Sequence, residues 1–400
     1  MKWAKIRLGD IAIVSSSKRI FARQYTNQGI PFYRQKEIID KKNKVELSDV
    51  LYISQETYDE IKSKFGAPQK GDLLITAVGV TLGIPYVVGD EVFYFKDGNL
   101  IWLREFDDSA DSTYIYYWIA SDLGKKAMWS RTIGSAQPAL TIDTIKQFEI
   151  PFPPIKTQRR IASVLSAYDD LIENNQKQIK LLEEAAQRLY KEWFVDLRFP
   201  GYENTKIVDG VPEGWEKTRV EAICTLSKTV LKPENIQADL AYIGLEHMPR
   251  KSICLSEWGT SSDVSSNKFR YSENDIIFGK IRPYFHKVGF SLNNGVASTD
   301  TIIMKANNEM WSLLLMTVSS VNFVDFTYKT CKEGSKMPRA DWNEMKQYAV
   351  LIPNDHLLKV FNDYIWNTTR RIKALALENH SLAEARDRLL PKLMSGEIEV

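Results

Sequence analysis

The chain repeats its own pattern at an offset of 200 residues within a total length of 400. A repeat of this length has the size of a domain, because solenoid units are only about 20 to 50 residues long. The duplication predicts an internal pseudo-two-fold repeat, and a partner that fits one half should bind twice. The residues that match are Gly134, Ser135, Pro138, Lys146 and Gln147 with Gly334, Ser335, Pro338, Lys346 and Gln347, and Ile172, Leu182, Glu184, Ala185, Arg188 and Leu189 with Ile372, Leu382, Glu384, Ala385, Arg388 and Leu389.

The composition, with 44% hydrophobic and 26% charged residues, suffices for sizeable hydrophobic cores. The first residues alternate charge with short apolar stretches, unlike a signal peptide, and no apolar run approaches the ~18 residues of a membrane span. The three cysteines are widely spaced and suggest no metal site, so we expect a cytoplasmic protein without a metal. A net charge of +2 means that any nucleic-acid surface must consist of local patches.

Each half opens with a mixed α/β segment of about 150 residues and closes with a helical segment of about 45. Short apolar runs between turn residues predict the strands, and a longer run predicts one helix in each half. The predicted strands cover residues 71–76, 84–90, 99–103 and 148–151 in the first half and 274–278, 287–290, 301–304 and 350–353 in the second; the predicted helices cover residues 113–127 and 310–324. The predicted fold class is therefore α/β, of the α+β kind, with two globular domains separated by helices.

The helical segments carry apolar residues at steps of four and three over more than four heptads, which is typical of a coiled-coil seam. The seam positions are Ile161, Leu165, Tyr168, Ile172, Asn175, Ile179, Leu182, Ala186, Leu189 and Trp193, and Phe361, Ile365, Thr368, Ile372, Leu375, Asn379, Leu382, Arg386, Leu389 and Leu393. At 1.5 Å per residue, each helix of roughly 40 residues is ~60 Å long. The pattern predicts a long antiparallel two-helix coiled coil.

The seams also predict a register. If Ile161 lies opposite Leu393, Asn175 lies opposite Asn379, and the two amides bond each other at the cost of some stability. Two alternatives stay open, namely that each asparagine is solvated locally and that the pairing slips by one heptad.

Enzyme motifs are absent from the sequence: it has no phosphate loop, no cysteine or histidine cluster and no nucleophile elbow. The run Phe152–Ile155 superficially resembles the catalytic loop of adenine methyltransferases but lacks its polar residue. The pairs of Glu60 with Lys62 and of Glu344 with Lys346 lack the preceding Pro-Asp of a nuclease. We therefore predict a non-catalytic chain.

Basic and aromatic residues cluster locally in both halves, around residues 18–36, 280–287 and 329–339. Arginine and lysine reach phosphates and guanine edges, whereas glutamine and asparagine read adenine, so such loops suit contact with a DNA groove. Charged loops are, however, usually just solvated.

Several motifs together resemble those of the specificity subunit of type I restriction-modification systems, over essentially the whole chain. They are Val211–Trp215, Arg282–Tyr284 with Ala297–Asp300, Met337–Arg339, Pro153–Ile155 with Gln158 and Ile161–Ala162, and Leu189–Phe194. The first half departs from this pattern, because Gln137-Pro138-Ala139 stands where the second half has Met337-Pro338-Arg339, and no Arg-Pro-Tyr occurs near residues 79–85. That asymmetry suits two domains that read different DNA sequences.

The resemblance implies two target recognition domains, residues 1–153 and 199–354, that each bind one half of a bipartite site in double-stranded DNA. It also implies that conserved helices at residues 154–198 and 355–400 set the spacer and dock two methyltransferase subunits, to which restriction subunits add. S-adenosylmethionine, ATP and Mg then belong to the partners, and this chain holds no cofactor. The expected DNA contacts are Arg34, Gln35, Arg131, Ser135, Gln137, Lys280, Arg282, Lys336 and Arg339.

Two other classes of protein remain as alternatives at this point. One is a DNA methyltransferase or nuclease with built-in recognition domains, which binding of S-adenosylmethionine by the isolated chain would reveal. The other is a coiled-coil scaffold with no role on nucleic acid, which salt-dependent binding to duplex DNA would exclude.

Overall fold

The computed structural model describes residues 3–43, 45, 47–134, 138–331 and 336–400, without the side chains of Asp263 and Asn308. The chain forms two compact units. Unit 1 comprises Met1–Leu171 and Leu382–Val400, and unit 2 comprises Ile172–Ser381. The last residues of the chain thus belong to the same unit as the first.

Unit 1 mixes short strands with short helices. Its elements are β1 Lys5–Arg7, α1 Leu8–Ile11, β2 Ile13–Ser15, β3 Tyr25–Thr26, β4 Ile30–Tyr33, α2 Gln35–Lys42, β5 Leu51–Ile53, α3 Gln55–Phe65, β6 Leu73–Thr76, β7 Pro85–Val87, β8 Tyr94–Phe95, β9 Leu100–Arg104, α4 Ser112–Ala120, α5 Asp122–Trp129, α6 Ile142–Lys146 and β10 Glu149–Pro151. The long helix α7, Ile155–Tyr190, then runs from unit 1 into unit 2 and continues as a π-helical turn at Lys191–Val195.

The central sheet of unit 1 has the order β2-β9-β6-β7 and is antiparallel throughout. Its strand β6 is buried along its whole length, because the sheet is covered on both faces. Successive side chains of a strand point to opposite faces. Accordingly Leu73 and Ile75 pack in one core with helix α4, and Leu74 packs in another core with Trp102. A second sheet has the order β3-β5-β4-β8, and β1 pairs with β10.

Unit 2 contains the same kinds of elements and more strands. They are β11 Ile207–Val208, β12 Val211–Pro212, β13 Glu216–Arg219, α8 Val220–Ile223, β14 Cys224–Leu226, β15 Val230–Leu231, β16 Ala241–Ile243, β17 Cys254–Leu255, β18 Gly259–Thr260, β19 Lys268–Tyr271, β20 Ile276–Gly279, β21 Val288–Ser291, β22 Gly295–Ala297, β23 Thr301–Ala306, α9 Trp311–Val318, α10 Val321–Lys329, α11 Trp342–Met345 and β24 Ala349–Ile352. Helix α12, Asp355–Ser395, runs from unit 2 back into unit 1.

The central sheet of unit 2, β14-β23-β20-β21-β17, corresponds to that of unit 1 with one added strand. Strand β20 again divides its side chains between two cores, with Ile276 and Phe278 on one side and Ile277 on the other. A second sheet has the order β15-β19-β22-β16-β18, and β13 pairs with β24 as β1 does with β10. The strands predicted in the two halves are therefore confirmed as the equivalent strands of a duplicated domain.

The prediction of one helix in each half is wrong, because each predicted helix is two helices. Helix α4 ends before Ser121, whose hydroxyl accepts a hydrogen bond from the backbone N–H of Gly124 (3.1 Å) at the start of α5. In the same way Ser320 accepts from Phe323 (3.2 Å) at the start of α10. Serine is among the preferred N-cap residues because its hydroxyl satisfies a free N–H of the first turn. These serines therefore start new helices inside apolar runs.

Helix α7 begins after the prolines at 153 and 154, and Gln158 secures its start. The buried amide of Gln158 donates to the carbonyls of Ser109 (2.9 Å) and Pro153 (2.8 Å) and accepts from the N–H of Asp111 (2.9 Å). Pro154 directly precedes the helix, and its carbonyl accepts hydrogen bonds from the N–H groups of Thr157 (2.8 Å) and Gln158 (3.0 Å) in the first turn. The glutamine thereby ties the helix to the loop before α4.

The predicted coiled-coil seam is confirmed, since every seam residue of α7 and α12 is buried or half-buried. In unit 1, Asp169 accepts a hydrogen bond from Arg386; in unit 2, Asn175 donates to Glu378 (3.1 Å). Both pairs lie within one residue of the predicted antiparallel register. The helices therefore pack in that register within each unit.

The predicted bond between the two seam asparagines is wrong. Asn175 uses its amide N–H on Glu378, the neighbour of Asn379. The buried Oδ1 of Asn379 has no hydrogen-bond partner in the described part of the chain. A carboxylate accepts a stronger hydrogen bond than a neutral amide does. Glu378 lies at the edge of the seam, so its carboxylate can reach Asn175 while the residue stays exposed to solvent.

Replacing Asn379 with leucine should raise the free energy of unfolding by about 1 kcal/mol, because it removes a buried acceptor that lacks a partner. Urea unfolding of the full chain measures the change. The control is Asn174→Leu, an exposed asparagine of α7 that should alter stability by less than about 0.5 kcal/mol. A destabilised Asn379→Leu protein would show that the amide has a partner after all.

Candidate DNA interface

Three loops of unit 2 meet at one end of its central sheet, where β20 ends and β23 begins. Backbone hydrogen bonds join them: Lys280 N–H donates to Asp300 O, Arg282 N–H to Pro338 O, and Ala340 N–H to Lys280 O, each at 2.8 Å. We call residues 280–287, 298–300 and 336–341 the unit 2 loop cluster. It brings together the four residues that the sequence analysis proposed for this half, namely Lys280, Arg282, Lys336 and Arg339.

The loop cluster carries more positive than negative charge. Arg339 pairs with Asp300 (3.0 Å), and Lys280 donates to the carbonyl of Thr299 (2.7 Å). Burial lowers the pKa of Lys280, an effect that Asp300 opposes and Arg339 reinforces. A partly desolvated cation of this kind gains from an approaching anion, because its ammonium has already lost part of its hydration. Lys336 is exposed.

Arg282 has a positive φ of 52°, in the left-handed region that non-glycine residues rarely adopt. Its guanidinium lies 5.7 Å from the centre of the Phe285 ring and forms no ion pair within the described residues. Backbone strain of this kind tends to occur at functional sites. The arrangement leaves the guanidinium available for a ligand.

A groove of about 970 Å³ opens beside these residues, entirely within unit 2. Lys280 and Arg339 line it together with Lys228, and apolar atoms come from Phe269 and Met337. The combination of cations and apolar side chains suits a DNA backbone next to base edges.

In unit 1 the two residues proposed near α2 are engaged in the fold. The guanidinium of Arg34 binds the buried carboxylate of Glu37 (2.5 Å) and the carbonyl of Asp49 (3.2 Å). Burial alone would raise the pKa of Glu37, but hydrogen bonds from the side chain and backbone of Arg34 lower it overall. Gln35 donates to Val78 O and to the hydroxyl of Thr81, both at 2.9 Å. Both residues have structural partners, and their contact with DNA stays a prediction.

Three further residues of unit 1 are predicted to contact DNA, namely Arg131, Ser135 and Gln137. Arg131 is exposed, with its guanidinium 4.8 Å from the centre of the Phe148 ring, so it is free to reach a ligand. Ser135 and Gln137 lie outside the described residues.

The described residues contain neither a metal site nor a membrane-spanning helix. No group of three or more histidine, cysteine, aspartate or glutamate side chains in the described ranges could hold a metal ion. Among those same ranges, no helix has both the length and the apolar character that crossing a membrane requires. Cys224 and Cys254 are free and buried, as a structural role requires.

Comparison with known proteins supports the resemblance seen in the sequence. Residues 1–184 match the family described as the type I restriction modification DNA specificity domain. The MjaIX specificity subunit of Methanocaldococcus jannaschii is 26% identical over 313 residues, which are 73% of this chain and 70% of that protein. A putative type I specificity subunit of Haemophilus influenzae, S.HindORF215P, is 33% identical over 46% of this chain and 45% of its own length. The HindI specificity subunit of the same organism is 22% identical over 99% of both chains.

The fold agrees with these relatives. The crystal structure of the type I restriction-modification S subunit from M. genitalium superposes with a TM-score of 0.62 over 98% of this chain and 96% of that chain, at 15% identity. This chain therefore shares its fold with that S subunit. Residues 1–184 are thus similar to the DNA specificity domain of type I restriction-modification systems, and most of the chain is similar to specificity subunits of such systems.

Replacing Arg34 with alanine should lower the free energy of unfolding by about 2 kcal/mol at neutral pH, because Glu37 is fully buried and loses its cation. This decrease in the free energy of unfolding should be smaller at acidic pH. In the wild type the lowered pKa of Glu37 contributes stability above the ordinary value of 4.5 that disappears as the pH falls through the folded pKa. In the variant, protonation instead relieves a buried charge.

Urea unfolding at about pH 7 and about pH 4 measures both effects. Arg131→Ala is the control, since this exposed arginine should change stability by less than about 0.5 kcal/mol at either pH. Equal and pH-independent effects of the two variants would contradict a structural role for Arg34.

Proposed function

We propose that this chain selects the DNA sequence on which a type I restriction-modification complex acts. Each recognition domain, residues 1–153 and 199–354, binds one half of a bipartite site in double-stranded DNA. The observation that carries the proposal is the unit 2 loop cluster, in which three separate loops present lysine and arginine side chains at one end of a rigid sheet. Loops fixed on a scaffold are typical positions for binding residues.

Chemistry is the task of the partners in this proposal. Methyl transfer with S-adenosylmethionine belongs to the methyltransferase subunits, and ATP hydrolysis with Mg belongs to the restriction subunits. The chain itself is non-catalytic. The three relatives named above are specificity subunits by name, one of them putative, which supports this division of labour.

The long helices, residues 154–198 and 355–400, are proposed to dock two methyltransferase subunits. Large apolar side chains that face solvent on both helices support this role: Leu171 and Leu181 on α7, and Val360, Tyr364 and Leu377 on α12. Exposed apolar residues that are not needed for the seam are typical of protein interfaces. The duplication supplies two such docking sites in one chain, as a pair of identical partners requires.

Exchange of one recognition domain tests the proposal. The segment 1–153 is replaced with the corresponding segment of a relative, and the chain is combined with its methyltransferase subunit. Because the main cores of the two units share no residue, the exchange should change one half of the methylated motif and leave the other as it was. Sequencing of methylated DNA reads both halves. The matching exchange of 199–354 should change the other half, and an exchange that alters both halves would contradict independent reading.

Shortening the helices tests their role in the spacer. Deleting one heptad from each, Ile172–Gln178 and its antiparallel counterpart Ala376–Leu382, keeps the seam in phase and removes ~10 Å at 1.5 Å per residue. At 3.4 Å per base pair, the methylated half-sites should lie about three base pairs closer. Activity should fall, since three base pairs also rotate one half-site by about 100°. An active variant with the original spacer would show that the helices do not set the distance.

A further inference from the structure

The loop between β6 and β7 in unit 1 has the same backbone frame as the loop between β20 and β21 in unit 2. In unit 1 the bonds run from Ala77 N to Asn99 O (2.8 Å), Gly79 N to Pro138 O (2.9 Å), Leu140 N to Ala77 O (2.8 Å) and Leu82 N to Gly79 O (3.2 Å). In unit 2 they run from Lys280 N to Asp300 O, Arg282 N to Pro338 O, Ala340 N to Lys280 O and Phe285 N to Arg282 O, each at 2.8 Å. The two loops therefore correspond residue by residue.

The backbone torsions agree with this correspondence. Gly79 and Gly83 have φ values of 75° and 80°, and their counterparts Arg282 and His286 have 52° and 53°. Glycine adopts such values without strain, whereas arginine and histidine do not. Unit 2 thus keeps side chains at two positions where the backbone favours glycine.

The side chains on the shared frame differ in charge. The cations Lys280, Arg282 and Arg339 of unit 2 correspond to Ala77, Gly79 and Ala139 in unit 1. At these three positions unit 1 has no charge with which to contact a guanine edge. If both frames face DNA, unit 1 must read its half-site by another kind of contact.

The residue that unit 1 presents instead is Val80. Its side chain is 88% exposed, the highest value among the large apolar residues that the structure describes. It is held in place, because Gln35 bonds the carbonyl of Val78 and the hydroxyl of Thr81 on either side. Because this exposed side chain lies on the frame that carries the cations of unit 2, we assign its exposure to a ligand that both frames contact.

The geometry points to Val80 as a base-reading residue of unit 1 that contacts the C5-methyl group of a thymine in the major groove. The thymine methyl is the apolar feature of that groove, and valine has no hydrogen-bonding group with which to read any other. The inference rests on the proposed function. Val80 occupies the position of Pro283 in unit 2, next to the counterpart of Arg282.

The test uses the chain assembled with its methyltransferase subunits and duplexes that contain the methylated motif. Each thymine in the half-site of unit 1 is replaced in turn with uracil, which lacks only the methyl group. The wild-type complex should bind one of these duplexes about fourfold more weakly, as expected for one buried methyl. Val80→Ala should bind the thymine duplex about fourfold more weakly and no longer distinguish it from the uracil duplex.

The control is Val92→Ala, an exposed valine of unit 1 beyond the opposite end of β7, which should retain the wild-type response to uracil. Sequence-specific binding that is indifferent to uracil at every thymine would overturn the role of Val80 alone. Loss of assembly with the methyltransferase in Val80→Ala would overturn it too, in favour of a protein contact. Absence of any sequence-specific binding by the wild-type complex would overturn the proposed function as well.

Discussion

The antiparallel packing of α7 against α12 determines which parts of the chain fold together. In unit 1, Leu165 of α7 and Leu393 of α12 are buried in the same core as Leu8 near the start of the chain. In unit 2, Ala186 and Ile372 share a core with the strands of the central sheet. Full burial of each large aliphatic side chain contributes roughly 1.5 to 3 kcal/mol. The last residues of the chain complete the first unit because the two helices run in opposite directions.

Polar groups fix the register of this packing. Asp169 binds Arg386 and also accepts a hydrogen bond from Tyr117 (2.5 Å), so that α4 joins the pair of helices in unit 1. Burial lowers the pKa of the neighbouring Lys42 to about 8. Half-buried ion pairs such as this one add little net stability, but they penalise alternative registers that leave a charge unpaired. In unit 2 the hydrogen bond between Asn175 and Glu378 favours the same register. The buried side-chain carbonyl of Asn379, which has no partner among the described residues, lowers the stability of this packing.

The duplicated domains show how one backbone frame can carry two different sets of side chains, as the proposed recognition of two half-sites requires. The hydrogen bonds that the two frames have in common involve only main-chain atoms, so the side chains on the frame are free to differ. Unit 2 carries cations there, and unit 1 carries small residues and one exposed valine. Charged side chains suit guanine and phosphate, whereas apolar ones suit thymine. The frame holds each set in place, and its rigidity limits the entropy lost on binding.

Much of this could be predicted from the sequence, because it depends on local patterns. The repeat, the apolar runs of β6 and β20 and the heptad seam are periodic features, and each predicts a backbone shape or a buried face without knowledge of the partner. The antiparallel register followed from the same seam. The resemblance to specificity subunits likewise rests on motifs that can be read along the chain.

Only the tertiary structure decided which polar side chains are free. Arg34 and Gln35 have the composition of DNA contacts. Yet Gln35 bonds Val78, 43 residues away, and Arg34 bonds Asp49, 15 residues away, as well as its near neighbour Glu37. The sequence placed residues 79–85 opposite the Arg-Pro-Tyr motif of unit 2, but it did not match Gly79 with Arg282. These loops are offset by 203 residues and not by 200, and the match is visible only in their hydrogen bonds to Pro138 and Pro338. The exposure of Val80 likewise depends on residues that are distant in sequence, because Gln35 holds its loop in place. A side chain's availability depends on what the folded chain places beside it, and those neighbours are distant in sequence.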